Sequence, residues 1–254
     1  MNQPKKAVLC GASQGIGRTI AYKFHSLGWE VAILDVQSNE EMQSAGINMH
    51  TCDVSDFIKT ESTFKKIFED FGTVDVLVNC IRTRQKAPST APLFEQWEKA
   101  LKVDLNTYLN ASLIVCEKMK TLSKPCNIIQ FSSITSHLIT LRESMSYHTA
   151  KAAINQMTKY LAVQYGPYNI RVNAISPGLI SNEKSENYSS MPDASLYSKL
   201  ALHIPLRRSG SPEEVAEVAL FLSTSASSFI SGQEIVVDGG LSICEQVGIA
   251  LQKE

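Results

Sequence analysis

Residues Lys6 to Asp35 constrain the fold of this chain more than any other stretch. A short apolar run, Ala7-Val8-Leu9-Cys10, passes directly into Gly11-Ala12-Ser13-Gln14-Gly15-Ile16-Gly17. A helical pattern follows, and a second apolar run, Val31-Ala32-Ile33-Leu34, ends in Asp35. The order is strand, glycine turn, helix, strand, acid. Glycines let the backbone turn tightly and approach a pyrophosphate, and a helix opening near Gly15 aims unpaired N–H groups and a positive dipole end at that anion. An acid at the tip of the second strand accepts hydrogen bonds from an adenosine ribose. A Gly-rich turn in some other α/β protein would carry the glycines without the flanking strands and the placed acid. The stretch therefore predicts a dinucleotide site built on Gly11, Ser13, Gln14, Gly15, Ile16, Gly17 and Asp35.

Strand-like and helix-like segments alternate through the rest of the chain. Strands are predicted at Ile47–Asp53, Val74–Asn79, Asn127–Ser132, Arg171–Ser176 and Glu234–Val237. Helices are predicted at Asp56–Phe71, with apolar spacing at Phe57, Phe64, Ile67, Phe68 and Phe71; from Leu93 to about Leu122, with a break near its start; at Tyr147–Tyr165; and at Pro212–Leu222. Ser211 is the cap of the last and Pro212 its first residue. The connection between the second and third strands leaves room for a helix of at most about two turns. Strands alternating with helices imply a parallel sheet covered on both faces, and right-handed crossovers place ligands at the carboxyl ends of the strands. The expectation is a single-domain α/β, doubly wound, seven-stranded parallel sheet over residues 1–254, although the length also admits two small domains.

Composition narrows the function classes. A net charge of −1 gives no reason to expect nucleic acid or an anionic membrane as a partner. No apolar run approaches the ~20 residues of a membrane helix. Met1–Lys6 leads straight into the first strand, so no signal peptide is expected. Six cysteines stand at 10, 52, 80, 116, 126 and 244, none in a Cys-x-x-Cys pair and most beside apolar runs. They read as reduced core residues of a cytoplasmic protein, with no metal site.

Chemistry enters at Ser133, Tyr147 and Lys151. Tyr147-His148-Thr149-Ala150-Lys151 puts Tyr and Lys four apart on one helix face. An ordinary phenol, with a pKa near ~10, is a poor proton donor or acceptor at neutral pH. An ammonium one turn away favours the phenolate and lowers that value. Ser133, at the end of the preceding strand, can hydrogen-bond a carbonyl oxygen. A Tyr-x-x-x-Lys pair alone is weak evidence, since both residues are common on helices; its place one loop after the fifth strand of a nucleotide fold carries the reading.

The spacing Gly-x-x-x-Gly-x-Gly at Gly11, Gly15 and Gly17, together with the Tyr-Lys pair, resembles the short-chain dehydrogenase/reductase family. The resemblance runs from Ala7 to Ser242. Asp53-Val54 looks like the family's adenine-contacting pair, and Val76-Leu77-Val78-Asn79 resembles the start of its Asn-Asn-Ala-Gly segment. Arg171–Gly178 is close to its sixth-strand signature, with Pro177-Gly178 similar to the turn beside the nicotinamide. Ser211–Ala216 and Ser231–Gly240 match its C-terminal half. The resemblance implies a Rossmann fold and a nicotinamide-dependent oxidoreductase interconverting a secondary alcohol and a ketone, with a small-molecule substrate. It implies catalytic roles for Ser133, Tyr147, Lys151 and the position of Asp104, and adds Asp53, Val54, Asn79, Pro177, Gly178 and Ile180, besides Tyr147 and Lys151, to the cofactor-binding set. Lys151 would also hold the nicotinamide ribose. Residues 179–205 would cover the substrate cleft, and 243–254 would form a tail.

The chain departs from the family pattern at several positions. Cys10 replaces the opening Thr, and Cys80-Ile81 stand where Ala-Gly is usual. Asp104 occupies the place of an Asn whose backbone carbonyl serves a water relay; Asp keeps the carbonyl, but its charge could instead pair with Lys151. Asn182 takes the place of a Thr, and Ser133 to Tyr147 is one residue longer than the commonest spacing. Two classes therefore stay open: an active oxidoreductase, or a divergent nucleotide-binding subunit with a regulatory or scaffold role.

Three further expectations follow. Asp35 is followed by Val36, Gln14 is uncharged, and Arg18 is the one cation placed nearby, so NAD is expected over NADP. The family assembles through a four-helix bundle, and Leu109, Leu113, Ile114 and Cys116 on one helix with Ile154, Met157 and Leu161 on the other exceed what one core face needs; a homodimer or homotetramer is expected. Arg82, Arg84 and Arg142 border the cleft mouth and suggest an anionic substrate, a small hydroxy- or oxo-acid or an acyl group on a phosphopantetheine carrier, with Thr83-Arg84 similar to the 3-oxoacyl-carrier-protein reductases.

Overall fold

A computed structural model describes residues 4–83, 92–141, 143–181 and 201–245. Arg84, Arg142 and Asn182 lie outside these residues, as do most of the expected lid and tail. The elements in chain order are β1 Lys6–Cys10, α1 Gly15–Ser26, β2 Glu30–Asp35, α2 Glu40–Ser44, β3 Asn48–Thr51, α3 Phe57–Phe71, β4 Val76–Asn79, α4 Leu93–Leu101, α5 Thr107–Thr121, β5 Cys126–Phe131, α6 Met145–Tyr165, β6 Ile170–Pro177, α7 Pro212–Leu222 and β7 Glu234–Val237. The seven strands form one sheet in the order β3-β2-β1-β4-β5-β6-β7. Every pairing is parallel. The order reverses between β1 and β4, which opens a crevice at the carboxyl ends of those two strands.

Alternation along the strands feeds two cores. Ala7, Leu9, Ile33, Val78 and Ile175 face Ile20 and Phe24 of α1 and Val215 and Ala219 of α7. Val8, Ala32, Leu77, Ile128 and Val172 face Phe64 and Ile67 of α3, Val115 and Met119 of α5, and Leu161 and Tyr165 of α6. Because successive side chains point to opposite faces, a strand buried on both sides must be apolar throughout. The central strands β1 and β4 satisfy this except at one end each, Lys6 and Asn79, whereas β3 and β7 at the edges are partly exposed.

Local signals set the helix ends. Asp56 caps α3 by accepting from the Lys59 N–H at 3.1 Å. Ser144 caps α6 by accepting from the Tyr147 N–H at 3.2 Å, so α6 starts two residues before Tyr147. Ser211 and Glu214 form a reciprocal capping box on α7, with Pro at the start.

Two expectations change. The long helix is not broken near its start; α4 and α5 are joined by a π-helical turn, Lys102–Asn106. The wider turn shifts the register and buries Asp104. The apolar excess on α5 and α6 is also distributed differently: Cys116, Ile154 and Leu161 are buried within the chain, and the exposed large apolar residues are Leu109, Met145, Tyr160 and Val163.

Candidate active site

The glycine turn closes β1 onto α1. Gly11 has φ +79°, and a Cβ there would lie 2.8 Å from the Ile81 Cα; Gly15 has φ +59° and faces open space. A Cβ on Gly17 would meet the Cys80 Sγ at 2.7 Å and the Ala12 Cα at 2.8 Å. The bulk of Cys80-Ile81 is thus accommodated against glycines, with the Cys80 thiol donating to the Cys10 carbonyl at 3.1 Å. Burial pushes that thiol up to about 12, which keeps it protonated.

These residues fit a dinucleotide. The N-cap Gln14 supplies no side-chain cap, no acid sits in the first turn of α1, and the buried Ser13 Oγ has no hydrogen-bond partner. An orphaned hydroxyl beside an uncapped helix N-terminus is what a phosphate oxygen satisfies. Asp35, 9% exposed, holds the loop by accepting from the Ser13 N–H at 3.0 Å and the Gln37 N–H at 3.1 Å. Its carboxylate therefore braces the glycine turn as well as lying at the strand tip. Asp53 is exposed and accepts from the Ser55 N–H at 2.9 Å, while Val54 is buried. Pro177 ends β6, and a Cβ on Gly178 would lie 2.5 Å from the Asp238 Cβ. Ile180 bridges to Gly210.

Asn79 is placed otherwise than its side-chain chemistry suggests. It is fully buried, and its amide donates to the Ser112 Oγ at 3.1 Å and the Gln130 Oε1 at 3.0 Å. The side chain ties β4 to β5 and α5, leaving its backbone at the crevice.

Ser133, Tyr147 and Lys151 converge at the carboxyl end of β5. The Ser133 side chain lies close enough to the Tyr147 phenol to pull its pKa down. Its carbonyl accepts from the Ser136 hydroxyl at 2.6 Å, and Asn155 donates to that hydroxyl oxygen at 3.0 Å. Glu234 accepts from Ser176 and pairs with His137 Nε2 at 2.7 Å. Burial pushes the Glu234 carboxyl up, but the bonds from Ser176, His137 and Asn155 outweigh it and hold it low. The serine's strand end is thereby fixed to β7.

Lys151 is 2% exposed, and its ammonium donates to the Tyr108 hydroxyl at 3.1 Å and the Phe131 carbonyl at 2.8 Å. Burial lowers it to about 8, against an upward pull from Asp104. Burial raises the Tyr147 phenol, and the Arg82 guanidinium, 4.9 Å from the ring centroid, is the strongest influence bringing it down. Lys151 Nζ stands 5.5 Å from the same centroid. Arg82, from the loop after β4, rather than Lys151, is thus the cation that bears most on the phenol. Arg82 itself bonds Glu143 at 2.5 Å, so this side chain is already paired and is not a free anion grip. The Asp104 carboxyl is buried and accepts from the Thr83 N–H at 2.5 Å; burial raises its pKa, and no hydrogen bond joins it to Lys151. Arg82 and Tyr108 gave no distinct signal in these roles, because each depends on a partner far away in the chain.

Lys151 yields a pH prediction. Its folded value near 8 lies below the ordinary 10.5, so between these values the unfolded chain binds more protons and this group's contribution to stability rises with pH. Below about 8 the full burial cost applies, on the order of 3 kcal/mol. The stability of the wild type relative to Lys151→Met should therefore improve from about pH 8 to about 10.5 in urea unfolding. A flat difference across that window would contradict the buried charge.

A family model described as enoyl-(acyl carrier protein) reductase matches residues 11–242. The chain belongs to the short-chain dehydrogenase/reductase family. It is 34% identical over 247 residues to an NAD-dependent glycerol dehydrogenase of Listeria innocua, covering 94% of each chain. It is 31% identical over 248 residues to a 3-oxoacyl-[acyl-carrier-protein] reductase of Thermotoga maritima, covering 94% of this chain and 98% of the relative. Its fold superposes on aldohexose dehydrogenase of Thermoplasma acidophilum with a TM-score of 0.85, 30% identity and 96% of each chain covered. This short-chain dehydrogenase/reductase is accordingly an oxidoreductase of a family that uses nicotinamide cofactors. Among its described residues no helix is long and apolar enough to cross a membrane, and no group of His, Cys, Asp and Glu is arranged to hold a metal.

Proposed function

We propose that this chain interconverts a secondary alcohol and a ketone with NAD(H), in the cytoplasm. The observation that carries the reading is the convergence of Ser133, Tyr147 and Lys151 beside the glycine turn, the link running from Lys151 through Tyr108 and Ile81 to Gly11. The bound nicotinamide supplies the site at which the substrate carbon gives up or receives hydride. Tyr147 takes or gives the hydroxyl proton at its phenol oxygen, and Ser133 donates to the substrate oxygen. Arg82, 4.9 Å from the ring centroid, favours the phenolate. The third Lys151 proton is available for ribose hydroxyls.

Asp35 and Val36 support NAD over NADP. A 2′-phosphate would approach the Asp35 carboxylate, and like charges at ~4 Å cost up to about 4 kcal/mol at an effective dielectric of about 20. Arg18, the nearby cation, stands 4.0 Å from Glu41. Fluorescence titration should give NADP(H) affinity at least about tenfold weaker than NAD(H), and turnover of a panel of alcohols and ketones should follow the same order. Tighter NADP(H) binding would overturn the preference, and no turnover across the panel would leave the second reading, a nucleotide-binding subunit without catalysis. Asp104 favours that second reading, since its charge pushes the Tyr147 phenol up.

For the substrate we propose an anion, either a small oxo- or hydroxy-acid or a carrier-bound acyl group. The names of the matched family model and of the Thermotoga relative support the carrier-bound case. Arg82 would meet such an anion by exchanging Glu143 for it. We also propose a homodimer or homotetramer through α5 and α6, where Leu109 is 38%, Tyr160 68% and Val163 80% exposed on the single chain. Light scattering should then give at least twice the 28.0 kDa of one chain, and the mass of one chain at micromolar concentration would refute it.

A further inference from the structure

We propose that Tyr108 is a positioning residue that holds the Lys151 ammonium directly from α5 and closes that side of the lysine with protein atoms instead of water. The inference rests on the oxidoreductase reading for its consequence, but the anchor itself is a property of the chain. Tyr108 is fully buried. Its hydroxyl accepts from Lys151 Nζ at 3.1 Å and donates to the Ile81 carbonyl at 2.7 Å. The ring adds a second contact, with Nζ 4.7 Å from its centroid.

With the Phe131 carbonyl as the other acceptor, two of the three ammonium protons are fixed by α5 and β5. The third is left for a ligand to take. A lysine side chain has four rotatable carbons, and two fixed hydrogen bonds remove most of that freedom before any ligand arrives. The hydroxyl cannot pass a proton onward, because its own hydrogen ends on a carbonyl, which has no proton to exchange. The groups that face the lysine besides these are Asp104 on the π-helical turn, Cys80 after β4, Arg82 on the following loop and Tyr147 on its own helix. None of them replaces the accepting oxygen of Tyr108: Asp104 makes no hydrogen bond to Nζ, Arg82 repels it, and the Cys80 thiol stays protonated and donates to Cys10.

The test is the titration of Lys151 in the unliganded protein, followed by NMR of 13C-labelled lysine and assigned with Lys151→Met. In Tyr108→Phe the ring is kept and the acceptor is lost, so the charged form loses support and the midpoint should fall by about one pH unit, the size of one charge-assisted hydrogen bond. The basic limb of the kcat profile should move down with it, and kcat at pH 8 should drop about fivefold. A wild-type midpoint in Tyr108→Phe, with a lower melting temperature alone, would make Tyr108 a packing residue and overturn the proposal. A chain that turns over no alcohol or ketone would end the oxidoreductase reading while the lysine titration still decides the anchor.

Discussion

Tyr147→Phe is expected to lower kcat by ~100- to 10,000-fold while leaving NAD(H) affinity within about twofold of the wild type. The phenol hydroxyl is the one group that Phe removes, and the ring that carries the Arg82 contact remains. Tyr147 sits 9% exposed between the Ser133 hydroxyl and the Arg82 guanidinium, with burial raising its pKa and both neighbours lowering it. The net direction is upward, so the unliganded protein keeps the phenol protonated, able to give its proton to a ketone oxygen. Removing the hydroxyl removes proton transfer but not the glycine turn, Asp35 or Lys151. A fall in KM-independent turnover with unchanged nucleotide titration is therefore the expected pattern. Residual turnover within about tenfold of the wild type would show that another group moves the proton.

The second large effect is on stability. Phe64→Ala should cost about 3–5 kcal/mol, read as a lower urea midpoint at unchanged slope. Phe64 is fully buried on α3 under β1 and β4, its ring 6.4 Å from that of Phe68. Deleting it removes apolar burial and leaves a cavity in a layer that also contains Val8, Leu77 and Val115. Phe57 on the same helix provides the control: it is 49% exposed, and Phe57→Ala should stay within about 0.5 kcal/mol of the wild type. Equal losses at both positions would mean that α3 is held by propensity rather than by its buried face.

That pair also marks where sequence reading stops. The apolar spacing of α3 groups Phe57 with Phe64, yet Phe57 in the first turn is 49% exposed while Phe64 is fully buried. The same limit applies on α5 and α6. Apolar excess predicted an extra interface there, but which residues face outward depends on how each helix rotates against β4 to β6. Cys116, Ile154 and Leu161 turn inward, and Tyr160 and Val163 turn out.

The sequence by itself determined what local backbone chemistry controls. Alternating apolar runs and helical periods specified seven parallel strands with helices on both faces, and they set the start of α1 and the bounds of α7 and β7. The glycines, the placed Asp35 and the four-residue Tyr-Lys spacing identified the crevice, because each is a constraint within one turn or one helix face. Tertiary structure alone decided how the side chains divide the work. It turned Asn79 into the sheet, paired Arg82 with Glu143 over the Tyr147 ring, widened the backbone at Asp104 into a π-helical turn, and set the Tyr108 hydroxyl between Lys151 and Ile81. Each of these contacts joins residues 20 or more positions apart or depends on helix rotation, and a buried polar group takes whichever partner the packed sheet presents, since leaving it without one costs more than any local preference supplies.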